Sequence, residues 1–162
     1  MEGQISLPEV FKIVDASGGP VTTNGGVTCD YVSLKNAVKA WIVAQFTQAV
    51  GHATTVQPRK ATAVAGTGAT NCTSTMRIWE NEGTAASDTL PAVTAATLAT
   101  LTNDIAKKLV VIEIDPAVEF KEDYDVLGCV ISDSSQATNF VSVLYVLQTK
   151  YQQASPPAAI TD

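Results

Sequence analysis

Three segments in the carboxyl-terminal third of this 162-residue chain constrain its fold more than any other feature. Lys108 to Asp115 (KLVVIEID), Tyr124 to Ser132 (YDVLGCVIS) and Thr138 to Leu147 (TNFVSVLYVL) are rich in Val, Ile and aromatic residues, which suit a pleated surface. They read as buried strands. Connectors rich in Thr, Ala, Gly and Asn separate such runs, and no cluster of chemically capable side chains lies among them.

The earlier chain extends the pattern. Ala16 to Gly26 (ASGGPVTTNGG) is turn-rich, because Gly supplies positive φ and Asn-Gly favours tight turns. A strand from Val27 to Leu34 is expected next. From Ser33 to Gly51 the spacing is ambiguous: Val38, Trp41, Ile42, Gln45 and Phe46 fit a helical face, while Val38, Ala40, Ile42, Ala44 and Phe46 fit a strand face. Trp41 and Val43 add β-formers to the opposite face, which favours a strand over Val38 to Thr47. Ala49 to Ala53 is then a hairpin loop leading into a strand over Thr55 to Val64, where Pro58 implies an edge position or a bulge because it cannot donate to a ladder. Met76 to Trp79 reads as another strand, and Asn81 to Thr102 as a long loop before a weak strand near Thr94 to Leu101. About eight strands and no long helix indicate an all-β chain, an antiparallel β-sandwich or barrel. Residues 1–15 are expected as an amino-terminal arm or, over Val10 to Val14, the first strand. Residues 16–151 form the β-sandwich domain, and 152–162 (QQASPPAAITD) a proline-rich flexible tail.

A net charge of −6 and a pI near 4.6 oppose binding to a phosphate backbone, so no nucleic-acid partner is expected. The first residues have no cationic start followed by a long apolar segment, and no run approaches the ~20 apolar residues that span a bilayer, so neither a secretory signal nor a membrane association is expected. Cys29, Cys72 and Cys129 are odd in number and widely spaced, which reads as three free thiols in a reducing compartment.

Candidate catalytic groups are few. His52, the sole histidine, sits between Gly51 and Ala53 and reads as a solvated loop residue rather than half of a dyad or a zinc ligand. Glu113, Asp115, Glu119, Glu122, Asp123 and Asp125 form the densest acidic region, but their spacing fits no EF-hand and Lys121 interrupts them, so a solvated loop face is expected rather than a metal site. Gly66 and Gly68 in AVAGTGAT lack the third glycine and the lysine of nucleotide-binding loops and read as a β-turn. No catalytic residue, metal or cofactor is assigned, and no enzyme is expected.

At Tyr31 to Ala40 (YVSLKNAVKA), Trp41 to Ala53 (WIVAQFTQAVGHA) and Ala61 to Thr70 (ATAVAGTGAT), the chain resembles a family of small structural proteins from tailed bacteriophages and prophages. Its members show an SLKN strand, an ATAVAGTGA hairpin, a V-I-E-I-D strand and a hydrophobic last strand ending in tyrosine. The last two correspond here to Val111 to Asp115 and Phe140 to Tyr151, and the resemblance spans Asp30 to Tyr151. It implies a decoration or cement protein: a jelly-roll-like sandwich that forms a homotrimer, is assembled in the bacterial cytoplasm, and binds the major capsid protein on the outer surface of the virion.

Candidate interface residues are Ile5, Leu7, Phe11 and Ile13, apolar groups flanking Pro8, together with Trp41, Trp79 and Tyr151. A competing expectation is a fibre, tail or adhesion module that binds a host glycan through the loop Asn81 to Ala92.

Overall fold

The computed structural model describes residues 7–92 and 95–151; Ile5 and the tail 152–162 lie outside them. In chain order the elements are α1 (Leu7–Val10), β1 (Phe11–Asp15), β2 (Val21–Thr22), β3 (Val27–Thr28), β4 (Val32–Ser33), β5 (Ala37–Thr47), β6 (Thr54–Ala61), β7 (Thr70–Asn71), β8 (Arg77–Asn81), β9 (Ala99–Leu101), β10 (Lys107–Ile114), α2 (Pro116–Glu119), β11 (Val126–Ile131) and β12 (Phe140–Thr149). They form two antiparallel sheets packed as a sandwich. Sheet A runs β1-β12-β5-β10-β8 with β2 beside β12, and sheet B runs β3-β11-β6-β7 with β4 also on β11 and β9 also on β6.

When β3 and β4 are read as one split strand and β7 and β9 as another, eight main strands remain once β2 and β8 are set aside. Numbered along the chain, sheet A then has the order first, eighth, third, sixth, and sheet B the order second, seventh, fourth, fifth. Most connections therefore cross from one sheet to the other.

β5 shows why the ambiguous segment is a strand. Burial alternates along it: Ala40, Ile42, Ala44 and Phe46 point into the sandwich, while Trp41, Val43 and Gln45 point out. A period of two satisfies a sheet and not a helix. Its backbone is also paired on both sides, with β12 over Ala37 to Thr47 and with β10 over Ala40 to Thr47. Between the sheets, Ile42, Phe46, Ile112, Val143, Tyr145 and Leu147 of sheet A meet Val56, Leu101, Leu127 and Ile131 of sheet B. Each full burial of such a side chain is worth about 1.5–3 kcal/mol. The one buried phenol keeps a partner, since Tyr145 Oη donates to the Asp30 carbonyl at 2.9 Å.

Several expectations change. Of the two expectations for the amino-terminal residues the strand holds, shifted by one residue: Phe11–Asp15 lies on the outer edge of sheet A, with Ile13 opposite Val146. The strand expected over Val27 to Leu34 is broken at Cys29–Tyr31, because Asp30 turns its N–H to Ala16 O at 2.8 Å. Of the weak strand expected over Thr94 to Leu101, Thr94 lies outside the described residues and the strand within them is Ala99–Leu101.

Pro58 lies inside β6 rather than at an edge, and at no bulge in the β6–β11 register. It faces Cys129, whose carbonyl is taken by Cys29 N–H at 2.9 Å on the other side, while the Pro58 carbonyl accepts from Cys72 N–H at 3.0 Å. The missing proline N–H thus falls between β9, which pairs as far as Val56, and β7, which begins opposite Arg59. A gap in the neighbouring strand does the work expected of an edge.

Two lysines point inward near opposite ends of the sandwich. Lys108 is fully buried, with Nζ 2.6 Å from Glu82 Oε2 and 2.8 Å from the Thr102 carbonyl. Lys60 meets Glu119 at 2.8 Å.

Candidate interaction face

The side chains that β1, β12, β5, β10 and β8 turn away from the core form one surface. Across one rung lie Ile13, Val146, Trp41, Glu113 and Arg77; across the next lie Asp15, Leu144, Val43, Val111 and Trp79. Phe11 and Leu109 flank these rungs. Apolar groups therefore run continuously through the middle of the face. Ile13 and Leu144 are 50% and 38% exposed, and Trp41, Val43, Trp79, Leu109, Val111 and Val146 are half-buried.

The aromatic groups are held in place. The rings of Phe11 and Trp41 meet at 6.0 Å with a 56° tilt, and the Arg77 guanidinium lies 4.8 Å from the Trp79 ring. A charged rim closes one end, where Glu113 bonds Lys39 at 3.0 Å and Arg77 at 3.5 Å.

Phe11, Ile13, Trp41 and Trp79, far apart in sequence, thus share one face. Leu7 lies in α1, 52% exposed, and Tyr151 lies just beyond β12, 72% exposed. Neither tryptophan is in the core. Val43, Leu109, Val111, Leu144 and Val146 were not singled out from sequence, although a signal was present. The runs through β5, β10 and β12 are apolar at odd and even positions alike, whereas a sandwich strand with one solvated face alternates.

The outer face of sheet B is different. Thr28, Ser33, Thr55, Gln57, Arg59 and Asn71 occupy most of the outward positions; the apolar ones among them are Val130, half-buried between Thr28 and Gln57, and Val126 and Ala61, both buried. Its aromatic group is roofed: the Tyr31 ring lies against Gly128 of β11 and against Gly66, φ +74°, in the β6–β7 turn. A side chain at Gly128 would overlap that ring. The AVAGTGAT segment is therefore a turn, closed by the Thr62 N–H to Thr67 O bond at 3.0 Å, and Gly66 is required there by backbone sign and by contact.

The acidic region is solvated in part, with Glu122 and Asp123 exposed, but other members take structural roles. Asp115 caps α2 by accepting from Ala117 N–H at 3.0 Å, and Asp125 pairs with Lys35 at 3.0 Å. Glu119 is buried and accepts from Thr73 N–H at 3.1 Å and Ser74 N–H at 2.6 Å besides its lysine partner. Burial opposes its ionisation, but the Lys60 and Ser74 bonds win and hold its carboxyl down at about 2. The same bond to Glu119 raises the Lys60 ammonium above its ordinary value. A hollow of about 180 Å³ between Ser74, Met76, Arg77, Glu113, Val118 and Glu119 borders this pair. That is below the roughly 300 Å³ at which small-molecule sites begin, and the Glu119 oxygens there are already engaged.

His52 is half-buried in the β5–β6 loop, its Nδ1 2.7 Å from the Ala53 carbonyl. Among the described residues no three His, Cys, Asp or Glu side chains are placed to hold a metal ion, and no helix is long and apolar enough to cross a membrane. Asn81 to Ala92 follows the free side of β8: Glu80 N–H donates to Pro91 O at 3.1 Å, and Asn81 Nδ2 donates to Ser87 O at 2.6 Å. No family model, curated protein or solved structure matches the chain.

Proposed function

We propose that this chain is a non-enzymatic structural protein of a tailed-phage particle, a decoration or cement protein that binds the major capsid protein on the outer surface of the shell and stabilises it. The observation that carries the reading is the outer face of sheet A, a continuous apolar surface on a sandwich whose opposite face is mostly polar. The largest apolar patch on a monomer is often functional, and this one is continuous across five strands.

The dimensions favour a lattice partner. Five strands about 4.8 Å apart and two rungs about 7 Å apart cover on the order of 300 Å². A stable pair needs about 800 Å² on each partner. One copy is therefore weakly held, and a homotrimer on a repeating shell gains through simultaneous contacts. Stabilisation follows because the assembled lattice offers those contacts together while dispersed subunits do not. The strand order, alternating between sheets, supports a jelly-roll reading and with it the resemblance. The net charge of −6 suits an outer position away from packaged DNA.

Shells of the encoding phage or prophage, assembled with and without the chain, test the reading by cryo-electron microscopy. The expected difference is density on the outer surface with sheet A facing the shell. Light scattering should give a mass of three chains. Absence of that density, together with glycan binding by the isolated chain, would overturn the proposal in favour of an adhesion module.

A further inference from the structure

The three cysteines lie along one line across the inner side of sheet B. Cys29 falls between β3 and β4 and donates its N–H to Cys129 of β11; Cys129 stands opposite Pro58 of β6, and Pro58 accepts from Cys72. All three side chains are buried and all are free thiols. Cys29 and Cys129 continue the antiparallel register set by Thr28 opposite Val130. Directly opposed residues in an antiparallel pair have Cα atoms about 4.5–5.5 Å apart. That lies within the range of roughly 4.4–6.8 Å that a disulfide spans. Cys72 is separated from Cys129 by the intervening β6, two strand spacings or about 9.6 Å away, beyond that range.

We propose that Cys29 and Cys129 are an oxidation site, closing to a cross-strand disulfide when the chain meets a low-molecular-weight disulfide, while Cys72 stays a thiol. The Cys29 thiolate attacks one sulfur of oxidised glutathione, forms a mixed disulfide and releases one glutathione thiolate. The Cys129 thiolate then displaces the second glutathione, leaving a Cys29–Cys129 bond. The chain loses two electrons, its two thiol protons end on the two released glutathione molecules, and the reagent is reduced.

The position of the pair governs when this happens. The Cys29 hydrogen bond and burial hold the Cys129 thiol well above its ordinary range, so the closed chain does not exchange. Cys29, however, sits on the edge of sheet B between two strands of two residues each, a segment that can open without global unfolding. Oxidation is therefore slow, limited by opening, and accelerated by mild urea. Once formed, the bond encloses about 100 residues and removes much of the freedom of the unfolded chain.

The test uses the full chain purified with three free thiols and incubated with excess oxidised glutathione at mildly alkaline pH, with and without mild urea. The expected result is an intact mass lower by two hydrogens, a peptide map joining the segments that carry Cys29 and Cys129, and a Tm raised on the order of 10 °C. Cys72→Ser should behave identically, and Cys29→Ser should yield neither product nor shift. Should Cys29→Ser fail to fold, the maps of the unsubstituted chain and of Cys72→Ser decide. A bond involving Cys72, a glutathione adduct that never resolves, no product even in mild urea, or a lowered Tm would overturn the proposal.

Discussion

Sheets A and B close over one core, yet they present unlike surfaces to solvent. Sheet B shows mostly hydroxyls, amides and one guanidinium, its outward Val126 is buried and Val130 half-buried, and where it carries an aromatic ring, Tyr31, two glycines make room for it to lie flat. Sheet A shows Ile13, Trp41, Val43, Val111, Leu144 and Val146 in adjacent positions. An outward valine or leucine adds little to folding while it stays wet; a partner that covers it recovers about 25 cal/mol per Å² of apolar area. On the proposed reading the contrast separates two duties: the inner faces and the inward ion pairs hold the fold, and the outer face of sheet A serves attachment.

Replacing Glu119 by Ala should have the largest effect on folding. It leaves the Lys60 ammonium and the Thr73 and Ser74 N–H groups without their shared acceptor, and urea unfolding should show a loss of about 3 kcal/mol. The folded fraction should still bind shells. If attachment fell without a change in stability, the division of duties would be wrong.

Acid provides the matching test. Because the folded Glu119 carboxyl is held at about 2, below its unfolded value near 4.3, the folded chain binds fewer protons than the unfolded one through that interval. Its contribution is present above the unfolded value and is lost as pH falls from about 4.5 to about 2, on the order of 3 kcal/mol in all. Glu119→Gln should remove that part of the acid dependence, measured as the difference between the two stability–pH curves.

Gly128→Ala sharpens the comparison on sheet B. The added methyl displaces Tyr31, and a loss of about 1–3 kcal/mol is expected in thermal unfolding. Tyr31→Ala in the same chain should recover part of it. The smallest effect belongs to the polar outer positions: Thr28→Ala and Asn71→Ala should each leave stability within about 0.5 kcal/mol and shell binding unchanged. A binding defect in either would place the attachment surface on the wrong sheet.

The strands of the core were legible because their residues state them directly. Val, Ile and aromatic runs set β10, β11 and β12, and β5 was separable from a helix once Trp41 and Val43 were weighed with Ala40 and Ile42. What escaped notice depends on contacts between distant segments. Glu119 looked like one carboxylate in an acidic loop; it is buried because Asp115 and Pro116 start a single helical turn that swings it toward Lys60, 59 residues earlier. Lys108 opens an apolar run and gives no sign that Glu82 and Thr102 await it. Pro58 is tolerated inside a sheet through a gap between the short strands β7 and β9. The candidate face was half visible: its aromatic members drew attention by residue type, while Leu144 and Val146 read as ordinary core until the register turned them outward.

Attachment through the outer face of sheet A is tested most directly by placing charge at its centre and measuring binding to shells that lack the chain. Val43→Asp with Leu144→Asp, both at outward positions on adjacent strands, should lower shell affinity at least about tenfold, equivalent to about 1.4 kcal/mol per copy. The Tm should stay close to that of the unsubstituted chain, and Thr28→Asp on sheet B should bind normally. Full-affinity binding by the folded double variant would contradict the account.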